Sequence, residues 1–245
     1  MKTFTEILAA KGAEAGLSFT DKQLAQFARY YELLVETNKV MNLTAITEPE
    51  DVAVKHMIDS LLAYDKAAFA GKSLADVGTG AGFPGIPLKI YCPSLKVTLI
   101  DSLGKRLKFL QHVIDELELK DIVCKHLRAE DAGRSKEHRE KYDIVTARAV
   151  ARLSVLVEYC LPLVKQGGLF IALKGSKYAE EIEEGEQAVK ILGGKLISAE
   201  PVKLPGLDDG RAIIKIAKVK PTAKGYPRKA GTPEKAPLGQ TVHKE

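Results

Sequence analysis

The chain has 245 residues, of which 45% are hydrophobic and 28% are charged. This length and composition are ordinary for a soluble globular protein, sufficient for one large domain, and unlike those of a disordered chain. The net charge of +5 is only mildly basic, so any nucleic-acid partner must be argued from where the charges lie and not from their sum.

The amino-terminal segment is predicted to be helical. Thr20 followed by Gln23 resembles a capping box. Apolar residues then recur at helical spacing: Leu24, Phe27, Ala28, Tyr31, Leu34 and Val35. We therefore expect an amphipathic helix of about five turns within a helical extension, residues 1–66, that packs on the core.

From residue 73 onward, predicted strands and helices alternate. The strands are predicted at 73–77, 96–100, 122–126, 142–146, 168–173, 195–204 and 211–219, with helices near 85–91, 104–119, 152–163 and 177–191. The last two strands flank a loop too short for a helix, so they should pair antiparallel. The pattern predicts an α/β fold for residues 67–219, a mostly parallel seven-stranded sheet with helices on both faces.

A glycine-rich loop, Gly78–Gly82, follows the first predicted strand, and Asp101 ends the second. Glycines let the backbone approach a bound nucleotide closely, and a carboxylate at the next strand end can accept hydrogen bonds from ribose hydroxyls. Two readings compete. One is the dinucleotide fingerprint starting at Gly80; the other is the first motif of S-adenosylmethionine (SAM) methyltransferases starting at Asp76.

The position of the strand end favours the methyltransferase reading. In a dinucleotide fold the first glycine should end the strand. That glycine is Gly78, and the sixth residue of a fingerprint counted from it is the bulky Phe83. Asp76, just before the loop, suits the cationic amino end of SAM and is badly placed for a pyrophosphate. We expect a Rossmann-like SAM-methyltransferase core.

Ligands of such sheets bind outside the carboxyl ends of the strands. The candidate cofactor-binding residues there are Asp76, Gly78, Gly80, Phe83, Asp101, Ser102, Ala129, Glu130 and Arg148. Glu130 could accept from the adenine amino group or satisfy free amides at a helix start. Arg148 could hold substrate or the SAM carboxylate, or form a salt bridge. No catalytic side chain stands out; Arg148 and Lys174 are the candidates.

Two groups of cations are candidate RNA ligands. Lys105 and Arg106 start a helix, where they oppose its macrodipole at the ligand-binding edge of the sheet, so they could meet phosphates or simply be solvated. Arg228, Lys229 and Lys235 belong to a Pro-, Gly- and Lys-rich tail, residues 220–245, expected to be mobile or clamped to the surface. We expect this tail to clamp RNA phosphates, so its removal should spare SAM binding.

The absence of two motifs limits which kind of atom can accept the methyl group. The sequence has no Asn/Asp-Pro-Pro-aromatic segment, which holds an attacking amino nitrogen, and no Pro-Cys segment for C5 methylation of pyrimidines. The target atom should therefore need little activation, and guanine N7, with its exposed lone pair, fits. A small-molecule methyltransferase and a non-catalytic RNA-binding factor of ribosome assembly stay open as alternatives.

Location and metal content are also predicted. The first residues lack an apolar signal core, the most apolar long stretch, residues 149–164, is broken by Arg152 and Glu158, and the three cysteines are scattered. We therefore expect a cytoplasmic protein with reduced thiols and no membrane contact. Cysteines and histidines show no metal-ligand spacing, so no metal is expected.

The motifs together resemble the bacterial 16S ribosomal RNA guanine-N7 methyltransferases, the family once called glucose-inhibited division protein B. The resemblance rests on Asn42–Thr44, His56–Leu61, Asp76–Pro87, Asp101–Leu103 with Lys105 and Arg106, Ala129–Glu130, Arg148–Ala151 and Tyr226–Lys229 with Gly231 and Pro233. It implies SAM contacts at Gly78, Phe83, Asp101, Ser102, Ala129, Glu130 and Arg148. It also implies SAM as methyl donor, S-adenosylhomocysteine as product, and methylation of guanine 527 in 16S rRNA, free or in the small subunit or its precursor. No obligate protein partner is inferred.

Overall fold

The computed structural model describes residues 2–239 and begins with a helical extension. The extension contains α1 (Phe4–Glu14), α2 (Asp21–Asn38), α3 (Pro49–Val52), a π-helical turn (Ala53–Ile58), α4 (Asp59–Leu61) and α5 (Lys66–Phe69). Helix α2 begins at the predicted capping box, in which the Thr20 hydroxyl accepts from the Gln23 amide and the Gln23 side chain accepts from the Thr20 amide. The predicted five-turn helix is thereby confirmed.

The described residues form the predicted seven-stranded sheet, in the order β3-β2-β1-β4-β5-β7-β6. The strands are β1 (Ser73–Val77), β2 (Lys96–Asp101), β3 (Ile122–His126), β4 (Tyr142–Arg148), β5 (Val164–Lys174), β6 (Gly194–Val202) and β7 (Arg211–Lys218). Strand β7 runs antiparallel to both β5 and β6, and the other neighbouring strands are parallel. The predicted fold class, including the final hairpin, is confirmed.

The helices between the strands match the predictions in most places. They are α6 (Gly85–Tyr91), α7 (Gly104–Glu116), α8 (Ala129–Arg134), α9 (Leu153–Cys160) with a following 3-10 turn (Leu161–Leu163), and α10 (Tyr178–Ile191); α11 (Thr232–Lys235) lies in the tail. Helix α7 ends earlier than predicted because Glu118 adopts a left-handed φ of 52°, which an α-helix cannot continue. Sequence analysis does not predict α8 and α11, which are too short to show helical periodicity.

Two hydrophobic layers cover the sheet. Leu74 of β1 and Ile144 of β4 are paired in register and face the layer that includes the amino-terminal extension. Ala75 and Val145 are the next pair and face the opposite layer, which includes the hydrophobic residues of α9. Neighbouring strand residues thus point to opposite faces, and both faces are buried, as is usual for parallel strands. No helix within residues 2–239 is both long enough and apolar enough to cross a membrane.

The extension contacts the glycine-rich loop directly. The buried Tyr30 hydroxyl donates to the Ala81 carbonyl at 2.5 Å, and a Cβ on Gly82 would lie only 2.6 Å from that hydroxyl oxygen. Gln23 of the same helix donates to the carbonyls of Ile90 and Tyr91 at the end of α6. Helix α2 therefore holds both the loop and the helix that follows it.

The described part of the tail folds back onto the core. Arg139 donates to the carbonyls of Thr222 and Tyr226, and Thr222 and Pro227 are buried. Of the two states expected from the sequence, residues 220–239 adopt the clamped one. The rest of the predicted tail, residues 240–245, lies outside the described residues.

We predict that Tyr30→Phe lowers the free energy of unfolding by about 1–3 kcal/mol, because the Ala81 carbonyl loses its buried hydrogen-bond donor. Urea unfolding measures the change. Tyr31→Phe is the matched control, since the Tyr31 hydroxyl donates to the Thr47 carbonyl at a half-buried site that water can reach. Equal losses in the two variants would contradict this role for Tyr30.

Candidate functional site

The glycine-rich loop needs glycine for conformation and for space. Gly78, Gly80 and Gly82 have φ of 66°, 61° and 105°, in the left-handed region that side chains disfavour. A Cβ on Gly78 would lie 2.6 Å from a methyl of Val150. The loop can therefore pass close to the chain that follows β4.

The buried carboxylate of Asp76 accepts hydrogen bonds that hold this loop in its conformation. Its Oδ2 accepts from the Thr79 hydroxyl at 2.6 Å and from the Gly85 amide at 2.9 Å. Asp76 is fully buried, and burial raises the pKa of its carboxyl to about 6. Asp76 thus has partners in the loop and at the start of α6, and its contact with the cofactor ammonium stays a prediction.

Asp101 ties the loop to the next strand. Its Oδ2 accepts from the Gly80 amide at 2.9 Å, and its Oδ1 accepts from the Leu103 amide at 2.8 Å. Arg106, expected to bind RNA, lies 3.5 Å from the same carboxylate. These contacts satisfy a carboxylate that is almost fully buried and hold it at the mouth of a cavity.

A cavity of about 280 Å³, the first cavity, opens at the carboxyl ends of β1, β2 and β4. Five of the predicted cofactor-binding residues line it: Gly78, Asp101, Ser102, Ala129 and Glu130. Arg106, Tyr159, Gly231 and Glu234 line it too, although sequence analysis did not place them in a cofactor site. Asp76, Gly80, Phe83 and Arg148 support the surrounding structure from outside its lining.

A second cavity of about 560 Å³ lies beside the first and shares Ala149 and Val150 with it. Ala149 has a φ of 55°, a left-handed conformation that is uncommon for a residue with a side chain and is often found at functional sites. The shared wall between two cavities is therefore a strained turn directly after β4.

The second cavity is lined by cations that are held by carboxylates. Asp59, almost fully buried, pairs with Arg148 at 2.6 Å and with Arg211 at 2.9 Å. Lys174 pairs with Glu181 at 2.6 Å. Both catalytic candidates from the sequence, Arg148 and Lys174, therefore line the second cavity within ion pairs.

His56 also lines the second cavity and comes from the π-helical turn, an element often found at functional sites. Its Nε2 lies 2.8 Å from the Thr44 hydroxyl, and its ring stacks on Phe83 with centroids 4.6 Å apart. Burial and the Arg148 charge lower the pKa of His56 to about 4, so the ring is neutral. Phe83 lies under the Arg148 guanidinium, 5.0 Å from its carbon.

Sequence analysis missed several residues of these cavities for different reasons. His56 and Asp59 lie in a segment that contributed to the family resemblance, so a signal was present without an assigned role. Arg211 reaches Asp59 across 152 residues of chain, and Glu234 reaches Tyr159 across 75. No local pattern indicates such pairs.

The residues of the first cavity fit a sulfonium nucleoside. Asp101 at the strand end suits ribose hydroxyls, and the close approach at Gly78 leaves no room for a side chain. Among residues 2–239, no three or more His, Cys, Asp or Glu side chains are arranged to hold a metal ion. The fold and this site define a SAM-dependent methyltransferase.

Comparison with known proteins gives the family. The family model GidB, described as rRNA small subunit methyltransferase G, matches residues 23–206. Two proteins named Ribosomal RNA small subunit methyltransferase G are similar over nearly the whole chain. The one from Lactobacillus johnsonii is 51% identical over 95% of this chain and 99% of its own length; the one from Desulforamulus reducens is 49% identical over 97% and 100%. This chain belongs to the rRNA small subunit methyltransferase G family.

Solved structures of distant proteins share the fold. TYW2 of M. jannaschii in complex with AdoMet covers 66% of this chain and 75% of its own, with a TM-score of 0.52 and 19% identity. A SAM-dependent O-methyltransferase from Thermotoga maritima covers 78% of this chain and 72% of its own, with a TM-score of 0.50 and 18% identity. The sheet and its helices are thus those of a widespread methyltransferase fold.

We predict that Asp76→Ala weakens SAM binding at least about tenfold, because the loop loses two hydrogen bonds of about 1 kcal/mol each. Asp76→Asn is the control, since its amide oxygen can still accept from Thr79 and Gly85. Isothermal titration calorimetry with SAM measures both variants. Wild-type affinity for SAM in Asp76→Ala would show that the hydrogen bonds of Asp76 do not affect the SAM site.

Proposed function

We propose that this protein transfers a methyl group from SAM to N7 of a guanine in small-subunit ribosomal RNA, in the cytoplasm. By the family resemblance the target is guanine 527 of 16S rRNA. The names of its close relatives support the substrate class. The observation that carries the proposal is the shared wall, Ala149 and Val150, between the first and second cavities.

The shared wall supports a proposal in which donor and acceptor bind next to each other. The first cavity has the strand-end carboxylate and glycine-rich loop suited to SAM, which supplies an electrophilic methyl group when bound. The second cavity is larger, at about 560 Å³, within the range of roughly 300–1,000 Å³ typical of ligand sites. A base that enters it would approach the methyl group directly, beside Ala149 and Val150, where the two cavities adjoin.

The charge of the second cavity supports an RNA substrate. Five cations line it, Lys55, Arg148, Arg152, Lys174 and Arg211, against two carboxylates, Asp59 and Glu181. Lys55, Arg152 and Arg211 also pair with Asp51, Glu184 and Asp209 outside the lining. The lining thus offers several held cationic donors, which suit the phosphate oxygens of an RNA substrate. A neutral small molecule would not need so many cationic donors.

The second cavity offers no idle general base among its described residues. Asp59 and Glu181 are each paired with cations. Both nitrogens of His56 lie within hydrogen-bond reach of neighbours, the Thr44 hydroxyl and the Lys55 carbonyl. An acceptor atom that must lose a proton would find no free base, whereas guanine N7 has a lone pair and no proton. This arrangement favours N7.

Catalysis then depends on alignment more than on acid–base chemistry. Holding two reactants in line replaces a bimolecular encounter and can contribute several kcal/mol. The ion pairs of Asp59 with Arg148 and Arg211 fix the side chains that face the acceptor. Since N7 lies in a deep, narrow groove of an RNA helix, the target guanine should be in a loop or an accessible assembly intermediate.

Exposed cations around the cavities would contact RNA phosphates. Lys105, Lys229 and Lys235 are exposed and remain candidates for this role. Arg106 lies near Asp101 and lines the first cavity. Arg228 donates to Glu158, a fully buried carboxylate, which gives its side chain a partner inside the protein.

Transfer of labelled methyl from SAM to RNA tests the proposed function. The purified protein is incubated with small subunits, their precursors, naked rRNA or a metabolite pool, with ribosomal substrates taken from cells that lack this modification. We expect label in one guanine of the small-subunit rRNA, located by mass spectrometry of RNA fragments. Label only in metabolites would support a small-molecule enzyme. RNA binding without any label would support a non-catalytic assembly factor.

We predict that Arg211→Gln lowers kcat/KM for RNA methylation at least about tenfold, the equivalent of roughly 1.4 kcal/mol, and leaves the Kd for SAM within twofold. Arg211 borders the second cavity and not the first, so only the acceptor step should suffer. Lys203→Gln, which removes an equal charge from an exposed site, is the control. A parallel loss of SAM affinity in Arg211→Gln would refute the division into two cavities.

A further inference from the structure

We propose that the carboxyl-terminal segment, residues 220–239, forms a wall of the methyl-donor site, and that Glu234 is a positioning residue for the adenosyl end of SAM. This inference rests on the methyl-donor site of the proposed function and does not depend on which molecule accepts the methyl group. It assigns the tail a role in cofactor binding, whereas sequence analysis assigned it to RNA alone.

The segment reaches into the first cavity at two points. The Gly231 amide donates to Oε1 of Glu130 at 3.0 Å, and Oε1 of Glu234 accepts from the Tyr159 hydroxyl at 3.2 Å. Both Gly231 and Glu234 line the first cavity together with Glu130 and Tyr159. The tail therefore meets cavity residues that come from α8 and α9.

A buried ion pair anchors the segment beside the cavity. Glu158 on α9 is fully buried. It accepts from the backbone amide of Arg228 at 2.7 Å, and its Oε2 accepts from the Arg228 guanidinium, also at 2.7 Å. The same guanidinium donates to the Ala236 carbonyl at 2.8 Å, after α11. Because removing one partner of a buried ion pair leaves an uncompensated charge, this contact holds residues 228–236 firmly in place.

A second anchor fixes the segment to α8. Arg134 donates to the Pro227 carbonyl at 2.8 Å, and Arg139 donates to the Tyr226 carbonyl at 2.7 Å. A Cβ on Gly133 would lie 2.8 Å from the Pro227 ring. The proline can therefore pack closely on the helix only because residue 133 has no side chain. The helix held in this way, α8, begins with Ala129 and Glu130, which line the cavity.

The chemistry of these groups fits an adenosyl group and a cationic ligand. The Gly231 amide donates to Oε1 of Glu130. The other carboxylate oxygen, Oε2, can then accept from a ligand donor such as the adenine amino group. Burial and the nearby Glu130 and Glu234 carboxylates raise the pKa of Tyr159, so its hydroxyl stays protonated and donates to Glu234. Glu234 adds a third carboxylate to the cavity, after Asp101 and Glu130, against the two cations Arg106 and Arg128. The carboxylates therefore outnumber the cations, which suits a ligand that carries a positive charge.

Calorimetry with SAM tests the role of Glu234 in the full-length protein. We expect Glu234→Ala to raise the Kd for SAM about fivefold to tenfold, the effect of losing one charge-assisted contact. Glu180→Ala, an equal loss of charge at an exposed position of α10, should stay within twofold of the wild type. A Kd for Glu234→Ala within twofold of the wild type would overturn the inference.

Limited proteolysis gives a second readout that needs no variant. Lys229 and Lys235 are exposed trypsin sites within the segment. If the segment forms part of the SAM site, bound SAM must stabilise the segment in its place on the core. The free energy of this effect equals the free energy by which the segment stabilises bound SAM. We expect saturating SAM to slow cleavage at these two lysines at least threefold, and not at Lys195 or Lys203, exposed lysines on and after β6. Equal cleavage with and without SAM would overturn the inference.

The two failures can be told apart. If the wild-type protein does not bind SAM at all, the proposed function itself fails. If the wild type binds SAM and Glu234→Ala binds it equally well, only the wall formed by residues 220–239 is refuted. Arg228→Gln provides a further test, because it removes the ion pair with Glu158 that holds the segment. We expect this variant to show both faster cleavage at Lys229 and a higher Kd for SAM.

Discussion

The site depends on one buried carboxylate that shapes a loop. Asp76 lies at the end of β1 with no solvent contact, and burial raises the pKa of its carboxyl. A buried carboxylate is costly unless it is hydrogen-bonded, and here the Thr79 hydroxyl and the Gly85 amide supply the bonds. These bonds join the glycine-rich loop to the start of α6, the helix that follows it. Asp101 then fixes the loop's middle through the Gly80 amide, so the loop's path, and with it the first cavity, follows from two carboxylates.

The amino-terminal extension completes the second cavity and does not merely cover the sheet. Asp59 from the extension lies between Arg148 of β4 and Arg211 of β7, so one carboxylate joins three distant parts of the chain. The π-helical turn just before it presents His56 to the same space, stacked on Phe83. Each of these groups has a partner, so the second cavity is lined by several cations and, among the described residues, has no free base. That combination suits an anionic substrate whose reacting atom carries no proton.

The tail contains cations that look alike in the sequence and have different surroundings in the structure. Arg228, Lys229 and Lys235 look alike in the sequence, as members of one basic segment. In the structure Arg228 pairs with the buried Glu158, while the two lysines are exposed. A cation beside a buried carboxylate is an anchor, and a solvated one is available to a phosphate. The distinction depends on a partner 70 residues away in the chain, which no local pattern reveals.

The sequence by itself determined the fold and pointed to five of the residues that border the first cavity. Alternating strands and helices, the capping box at Thr20 and the glycine-rich loop are all set by neighbouring residues, because hydrogen bonds within a turn and the period of apolar side chains are local properties. Only the tertiary structure decided which charged groups are paired, that Asp76 braces the loop, and that Gly231 and Glu234 border the first cavity. Those facts depend on contacts between segments far apart in the chain, where packing, and not spacing, selects the partner.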